Sequence, residues 1–272
     1  MKTPGRAELF FRAAAGRAYP RVRGSLREKS WLFYETLMPL LGTIAFVYVY
    51  RALGAPERFT TYVVMGGAAA AFWMNVLWMM AAQFYWEKRT GNLDLFMISP
   101  CGLWPILFGM SVGGILATLL RATGVVAVGI FLFDVHFDLA RLPMLLLVFV
   151  LTLIALYGLG TALSSLFLYW GREAWHTVNL FVEPVFLLSG VYFPVSTLAR
   201  GLGLAGCAIP LTLGLDALRT LLVPDSHPAL LSLPVEVVLL AGLGVVYAGI
   251  ARTALRRMEH LARAEGRLSR RY

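Results

Sequence analysis

The sequence predicts an all-α integral membrane protein with six transmembrane helices, and three observations support that prediction. Hydrophobic residues make up 59% of the 272 residues and charged residues only 14%, whereas soluble domains are about 25% charged. Six segments reach the roughly 20 apolar residues that a spanning helix needs. Basic residues concentrate at both ends of the chain. A soluble enzyme, a disordered tail and a secreted disulfide scaffold are excluded, because one soluble core could not cover this apolar surface and two cysteines are too few.

The predicted spans are separated by short polar breaks, and together they form a transmembrane domain over residues 32–251. The spans are 32–50, 60–82, 104–133, 143–168, 176–195 and 232–251. Of the 24 lysines and arginines, 15 lie in residues 1–31 and 252–272. Six crossings place both ends on one side of the membrane, and basic residues mark the cytoplasmic side. We therefore expect a multi-pass protein of the cytoplasmic (inner) cell membrane with both termini, including a basic tail over 252–272, in the cytoplasm.

The N-terminal segment, residues 1–31, carries an amphipathic helical pattern. Tyr19, Val22 and Leu26 recur at helical spacing between arginines. This pattern is typical of an interfacial helix that lies along the inner leaflet, and we expect Pro20 to start or bend it. The alternative is a frayed basic tail.

The stretch 196–225 is apolar, but glycine, proline and charge interrupt it too often for a clean span. Irregular backbone at membrane depth must be buried by protein or line a cavity. We therefore predict two short helices that form an extracellular re-entrant hairpin between the fifth and sixth spans. The alternative is an ordinary extracellular loop with one amphipathic helix.

Catalytic and metal-binding patterns are not recognisable in the sequence. The four histidines are scattered, and none has zinc-ligand spacing. The lysines are not preceded by the glycine-rich run of a nucleotide-binding loop, and no nucleic-acid fold signature accompanies the basic charge. We expect no catalytic residue, no metal site, no cofactor on this chain and no nucleic-acid partner. Any energy from ATP must come from another protein.

The loop after the second span predicts a short amphipathic helix. Leu93, Phe96 and Met97 fall at i, i+3 and i+4, so they share one face. Asn92 can cap the start of this helix, and Asp94 suits its positive dipole end. An apolar face exposed to the cytosol indicates a docking surface. The alternative is a plain connector.

Several polar residues fall within the predicted spans, where charge is costly and usually faces protein or water. Arg121, Asn75 and Glu183 are candidates for lining a pathway. The alternative for Arg121 is a structural pair with a nearby acid or carbonyl, and both interpretations of Glu183 stay open. We expect Glu35 and Gln83 to lie at the lipid headgroups.

The third span contains a Gly-x-x-x-Gly pattern at Gly109 and Gly113. Two glycines one helical turn apart allow another backbone to approach closely. The pattern predicts a tight helix–helix contact at the start of this span.

Two motifs resemble those of the ABC-2 type transporter permease family. Residues 87–100 are similar to its Glu-Arg-x-x-Gly-Thr-Leu-Glu-x-Leu-x-x-Ser-Pro pattern, with conservative departures at Lys88, Asn92 and Asp94. Residues 188–195, followed by Pro210-Leu211 and the Asp-x-x-Arg of 216–219, resemble its Ser-Gly-x-x-Phe-Pro, Pro-Leu and Asp-x-x-Arg elements. The two matches occupy corresponding places among six spans and extend over most of the chain.

This resemblance implies a role for each motif. Residues 87–100 would be the coupling helix that docks on a separate ATPase, and the 196–225 hairpin would close the outer end of the pathway. The implied coupling residues are Glu87, Lys88, Arg89, Gly91, Asn92, Leu93, Asp94, Phe96, Met97, Ser99 and Pro100. The implied outer gate comprises Gly190, Phe193, Pro194, Pro210, Asp216 and Arg219.

The resemblance also implies the assembly and the activity. Two permeases, expected as a homodimer in membrane lipid, would work with two copies of a cognate ATPase that binds ATP and Mg²⁺. The expected activity is export of an amphipathic drug-like or lipid substrate. Export of a lipid-linked polysaccharide or oligosaccharide is the first alternative, and a membrane-embedded enzyme or an ion-coupled transporter would be less consistent with the motifs.

Overall fold

The computed structural model describes residues 5–99, 102–223 and 229–264, and these residues form twelve α-helices without a strand. The helices are α1 (Arg6–Arg27), α2 (Lys29–Ala52), α3 (Arg58–Met74), α4 (Gln83–Arg89), α5 (Asn92–Ile98), α6 (Leu103–Phe133), α7 (Leu142–Trp170), α8 (Ala174–Asn179), α9 (Val182–Leu188), α10 (Arg200–Gly206), α11 (Pro210–Leu222) and α12 (Leu233–Ala264). A π-helical segment, Asn75–Ala81, continues α3.

Five helices among the described residues are long and apolar enough to cross a membrane. They are Phe33–Ala52, Arg58–Ala81, Leu103–Phe133, Leu142–Phe167 and Leu233–Arg257. Each lies within a few residues of a predicted span, so five of the six segments are confirmed as long apolar helices. The chain is therefore a multi-pass membrane protein.

The fifth predicted span, 176–195, is not one continuous helix. The chain forms α8 and α9, with a turn at residues 180–181 between them. Pro184 has no N–H to donate to the carbonyl of Leu180, so the α-helical hydrogen-bond ladder is broken there. Helix α9 ends shortly before Gly190, whose φ of +57° turns the chain in the left-handed region.

The predicted hairpin region contains two short helices, α10 and α11, whose axes are bent by 105°. Nearly all of α11 is buried against other helices, which satisfies the requirement that irregular backbone at membrane depth be covered by protein. The last two residues of the predicted range, 224–225, lie outside the described residues. Its extracellular location remains a prediction.

Helix α1 packs along the first half of α6, so the alternative of a frayed tail is wrong. Pro20 lies inside α1 and does not start it. A Cβ atom at Gly109 would lie 2.2 Å from the carbonyl oxygen of Ala14, and one at Gly113 would lie 2.8 Å from Cβ of Arg21. The Gly-x-x-x-Gly pattern therefore makes the predicted close contact, and its partner is α1. The position of α1 along the inner leaflet remains a prediction.

The largest apolar core lies where α3, the π-helical segment, α4, α6 and α7 meet. Its fully buried large side chains include Trp73, Leu77, Phe84, Leu93 and Phe167. The core therefore extends from the spanning helices into the short helices α4 and α5. These two helices are held on the end of the bundle by their own apolar side chains.

Candidate functional site

A buried glutamate joins three helices at the end of the bundle where α4 and α5 lie. The side chain of Glu87 is 5% exposed. It accepts hydrogen bonds from Nε2 of Gln83 at 2.7 Å and from Nδ2 of Asn92 at 2.9 Å. It also forms an ion pair with Arg17 of α1, and burial lowers the pKa of Arg17. We call these four residues the Glu87 node, which fixes α5 and α1 to the end of α4.

The structure corrects which side of α5 is exposed. Leu93 is 1% exposed and belongs to the apolar core, and the Arg17 guanidinium lies 5.0 Å from the centre of the Phe96 ring. The exposed apolar side chains are instead Leu95 and Ile98, at 61% and 79%. The prediction that Leu93 lies on a solvent-facing docking face is therefore wrong, and Phe96 is half-buried. The side chains of Met97 and Asp94 are outside the described part of the chain.

The start of α5 also differs from the prediction. Gly91 is the N-cap residue with φ of +77°, and a glycine has no side chain with which to cap the helix. Asn92 instead donates to Glu87 and to Oγ1 of Thr90. Its amide is used to hold α5 against α4, and the left-handed glycine makes the sharp turn between them.

The remaining predicted coupling residues lie around this turn. Lys88 and Arg89 end α4, and the Arg89 guanidinium lies 5.9 Å from the Tyr85 ring centre and 6.0 Å from that of Trp86. Ser99 follows the last residue of α5. Pro100 lies outside the described residues. Their role in coupling remains a prediction.

A second buried node lies near the start of α3. Arg219 of α11 is 1% exposed and donates to four carbonyl oxygens. These are the oxygens of Gly190 at 2.7 Å, Val191 at 2.9 Å, Phe193 at 3.2 Å and Tyr62 at 2.8 Å. The Arg219 node thus joins α11 to the turn after α9 and to α3. It brings together three residues that the second motif singled out.

The other residues of the second motif shape the same region. Pro210 begins α11, and Pro194 precedes a 3₁₀ turn, Val195–Thr197. The Asp216 carboxylate accepts a hydrogen bond from the Leu230 backbone N–H at 2.8 Å, which ties α11 to the segment before α12. Whether these residues form an outer gate remains a prediction.

An ion pair joins two of the polar residues that lie within the predicted spans. Nη2 of Arg121 lies 2.5 Å from Oε2 of Glu35, with both side chains largely buried. The predicted pairing of Arg121 with a nearby acid is therefore confirmed, and a role in lining a pathway remains a prediction. Glu35 faces Arg121, and Gln83 is 4% exposed in the Glu87 node, so both are held by protein. Their position at the lipid headgroups remains a prediction. Burial against protein partners compensates for their polarity.

The other two candidate pathway residues have different environments. Oδ1 of Asn75 accepts a hydrogen bond from the Tyr157 hydroxyl at 2.9 Å, and Asn75 is buried. Glu183 is exposed on α9. The structure therefore places Asn75 beside the ion pair and leaves Glu183 outside it.

Two cavities lie along α2, α3 and the π-helical segment. The first, here called the ion-pair cavity, has a volume of about 230 Å³ and is lined by Glu35, Arg121, Asn75, Trp78 and Tyr192, among others. The second, here called the tryptophan cavity, has a volume of about 650 Å³. Trp78, Trp86 and Trp175 line it, together with Arg21, Gln83 and Glu87. Within the described residues no cluster of metal-ligating side chains occurs.

Sequence reasoning missed Arg17 and Trp78 as members of these sites. Arg17 looks like any basic residue of an amphipathic helix, and nothing in the local pattern pairs it with a residue 70 positions away. Trp78 lies within an apolar span, where tryptophan is unremarkable. Asn75, three residues earlier, was the only local signal that this part of the span is not purely lipid-facing.

The long apolar helices and the buried polar contacts between them define a helical multi-pass membrane protein with internal cavities. A family model described as ABC-2 type transporter matches residues 22–223. That is most of the chain, so the protein belongs to the ABC-2 type transporter family.

Two curated relatives share part of this sequence. Each is described as "Probable multidrug ABC transporter permease YbhR", one from Escherichia coli strain K12 and one from Escherichia coli O157:H7. Each is 31% identical over 112 residues, which is 41% of this chain. The aligned stretch covers only 30% of the length of each relative.

Proposed function

We propose that this chain is the permease subunit of an ATP-driven exporter that moves amphipathic drug-like molecules or lipids out across the cytoplasmic membrane. Family membership and the name of the relatives support a transporter of this class. The structural observation that carries the proposal is the Glu87 node. This node attaches α5, a short helix with an exposed apolar edge, to the bundle. An element that transmits force from a partner needs such an attachment.

The exposed edge of α5 is the proposed docking surface for a separate ATPase. Leu95 and Ile98 project from the end of the bundle, while Leu93 of the same helix is locked into the core. A load applied to the edge is therefore passed to the core through Leu93 and to α1 through Arg17 and Glu87. An equilibrium between two transport states shifts only if the partner binds them differently, and this rigid connection lets a docked ATPase make that difference.

A second copy of the chain is the proposed partner within the membrane. Helix α2 has only 11% of its most apolar stretch buried, and Tyr34, Glu35 and Met38 of this helix line the ion-pair cavity. Charged groups at membrane depth are normally held against protein or water. A homodimer that packs on α2 would cover this wall of the cavity.

Reconstitution tests the proposal. The full-length chain is placed in proteoliposomes with its cognate ATPase, and uptake of rhodamine 6G, an amphipathic dye, is followed after addition of ATP and Mg²⁺. We expect uptake that disappears when the ATPase partner is replaced by a variant that binds ATP but cannot hydrolyse it. Equal uptake with the inactive partner would contradict ATP-driven transport. Uptake only of a lipid-linked oligosaccharide would replace the proposed substrate class.

A further inference from the structure

The two cavities meet at one side chain. Trp78 lines the ion-pair cavity together with Met74 and Asn75, and it lines the tryptophan cavity together with Met79 and Gln83. Beyond Trp78, Arg21 of the tryptophan cavity interacts electrostatically with Glu35 and Arg121 of the ion-pair cavity. The two spaces are therefore neighbours along one helix, and the indole lies between them.

We propose that the ion-pair and tryptophan cavities are successive chambers of one path for an amphiphile, and that Trp78 is the partition between them. The interpretation as a path rests on the proposed transport function. The partition itself rests only on the geometry of the chain. Its removal should join the two chambers whether or not an ATPase partner is bound.

The local backbone supports a movable partition. Trp78 lies in the π-helical segment, between an ordinary α-helix before it and α4 after it. A π-helical turn holds more residues than an α-helical turn, and such turns are frequent at functional sites. Rewinding of this segment toward an α-helix would rotate Trp78 relative to Met74. The indole could thus swing between closed and open positions while the flanking helices keep their places.

The chamber chemistry indicates the class of ligand. Met38, Met74 and Phe186 give the ion-pair cavity an apolar wall, and Asn75 with the Glu35–Arg121 pair gives it a polar one. The indole N–H of Trp78 is buried without a hydrogen-bond partner in the described structure. Ligand sites commonly combine apolar walls with a few orienting polar groups. This arrangement suits an amphiphile with a hydrogen-bond acceptor, which the Trp78 N–H would bind as it passes.

Away from Trp78, a ring stack contributes to the lining of the ion-pair cavity. Tyr192 lines that cavity, and its ring lies on that of Phe46 with centroids 4.1 Å apart and an interplanar angle of 8°. The hydroxyl of Tyr50 donates to the Tyr192 carbonyl oxygen at 3.0 Å. The lining of the chamber thus includes Trp78, shared with the tryptophan cavity, and Tyr192, which is fixed by α2.

Cysteine accessibility tests the partition directly. Cys101 and Cys207 are replaced by serine in the full-length chain, and Met74→Cys is introduced as a reporter in the ion-pair cavity. The protein in lipid nanodiscs, without ATP, is then exposed to the charged methanethiosulfonate reagent MTSET. We expect slow modification with Trp78 in place and an increase of about tenfold or more in rate with Trp78→Ala, because the charged reagent does not enter through lipid and would reach residue 74 from the tryptophan cavity past residue 78.

Three matched variants sharpen this measurement. Met79→Cys reports on the tryptophan cavity and should react quickly whether residue 78 is Trp or Ala. Trp78→Phe keeps an aromatic ring and should keep Met74→Cys slow. Trp73 is a buried tryptophan five residues earlier that lines neither cavity. The Trp73→Ala variant should also keep the modification of Met74→Cys slow. Fast modification of Met74→Cys with native Trp78, or no increase with Trp78→Ala, would overturn the partition.

A transport measurement tests the ligand contact separately. Trp78→Phe removes the indole N–H, so the KM for rhodamine 6G should rise about fivefold, as expected for one lost hydrogen bond. Trp73→Phe is the control, since its indole N–H is also buried without a partner in the described structure. An unchanged KM for Trp78→Phe would reject the contact. Because the labelling needs neither ATP nor partner, a failed transport assay with a positive labelling result would reject the proposed function and keep the partition.

Discussion

The Glu87 node and the Arg219 node lie near the two ends of the consecutive helical segments α3, the π-helical segment and α4, but they are built from different kinds of partner. Glu87 lies 25 positions after Tyr62 in mostly helical chain, a rise of roughly 35–40 Å at 1.5 Å per residue. At one end Glu87 is held by three side chains. At the other, Arg219 is held by four backbone carbonyls.

This difference in partners makes the Arg219 node rigid and lets the Glu87 node rearrange. Arg219 cannot exchange its backbone carbonyl partners unless the chain itself moves. The Arg219 node therefore fixes α11 against α3 and the turn after α9. The Glu87 node can exchange individual side-chain partners while the backbone stays in place. We infer that the Arg219 end acts chiefly as an anchor and that the Glu87 end is where motion enters the bundle.

The largest effect on stability is expected from Arg219→Ala. The change leaves four buried carbonyl oxygens without their shared donor, and loss of one partner from a buried charged network costs about 3–5 kcal/mol. Thermal unfolding in detergent, followed by tryptophan fluorescence, should show a large fall in the midpoint temperature. Arg200→Ala, at an exposed position of α10, is the control and should leave the midpoint unchanged. An equal midpoint for the two variants would contradict the anchor.

The next largest effect is expected from Leu93→Asp, because it places a carboxylate in the apolar core. Leu93 is 1% exposed, and burial of an unpaired charge is strongly unfavourable. The variant should express poorly and elute as an aggregate in size-exclusion chromatography. Leu95→Asp, two residues away on the exposed side of the same helix, should elute like the native protein. A well-folded Leu93→Asp protein would restore the original interpretation of Leu93 as a docking residue.

The sequence predicts the spanning helices well because hydropathy over 20 residues is a local property. Five of the six segments become long helices at nearly the predicted bounds. The fifth fails at Pro184, where the missing N–H interrupts a ladder that composition alone would allow. The two motifs also correctly single out residues that come together in space, such as Gly190, Phe193 and Arg219.

The contacts of a side chain are harder to predict than the helix to which it belongs. Periodicity shows that Leu93 and Phe96 share a face, but not that this face packs on the chain itself. The same limit applies to Glu35, whose partner Arg121 lies 86 positions away. Asparagine is a common helix cap, yet the side-chain amide of Asn92 donates to Glu87 instead. Long-range contacts decide the first two cases, and one sequence does not contain them. For Asn92, two local partners compete, and residue preferences do not decide between them.

A moderate effect is expected from Glu87→Gln. The substitution keeps the shape of the side chain but removes the negative charge opposite Arg17, so a charge-assisted interaction worth about 1–3 kcal/mol is lost. Glu8→Gln is a matched control, because Glu8 forms an exposed pair with Arg12 within α1 and such pairs contribute about 0–1 kcal/mol. A double-mutant cycle of Glu87→Gln with Arg17→Gln, measured by thermal unfolding, should show coupling. Strict additivity would show that the pair does not join α1 to α4.

The smallest effect on stability, and the sharpest on function, is expected from Leu95→Asp combined with Ile98→Asp. Both side chains are exposed, so the unfolding midpoint should stay close to that of the native protein, as is usual for surface substitutions. The proposed ATPase would lose its apolar contact, and charged groups would meet its surface instead. Co-purification of the ATPase and ATP-dependent dye uptake should both fall sharply. Leu202→Asp, at an exposed leucine of α10 near the other end of the bundle, should preserve both. Normal coupling in the double variant would move the docking surface away from α5 and leave the Glu87 node with a purely structural role.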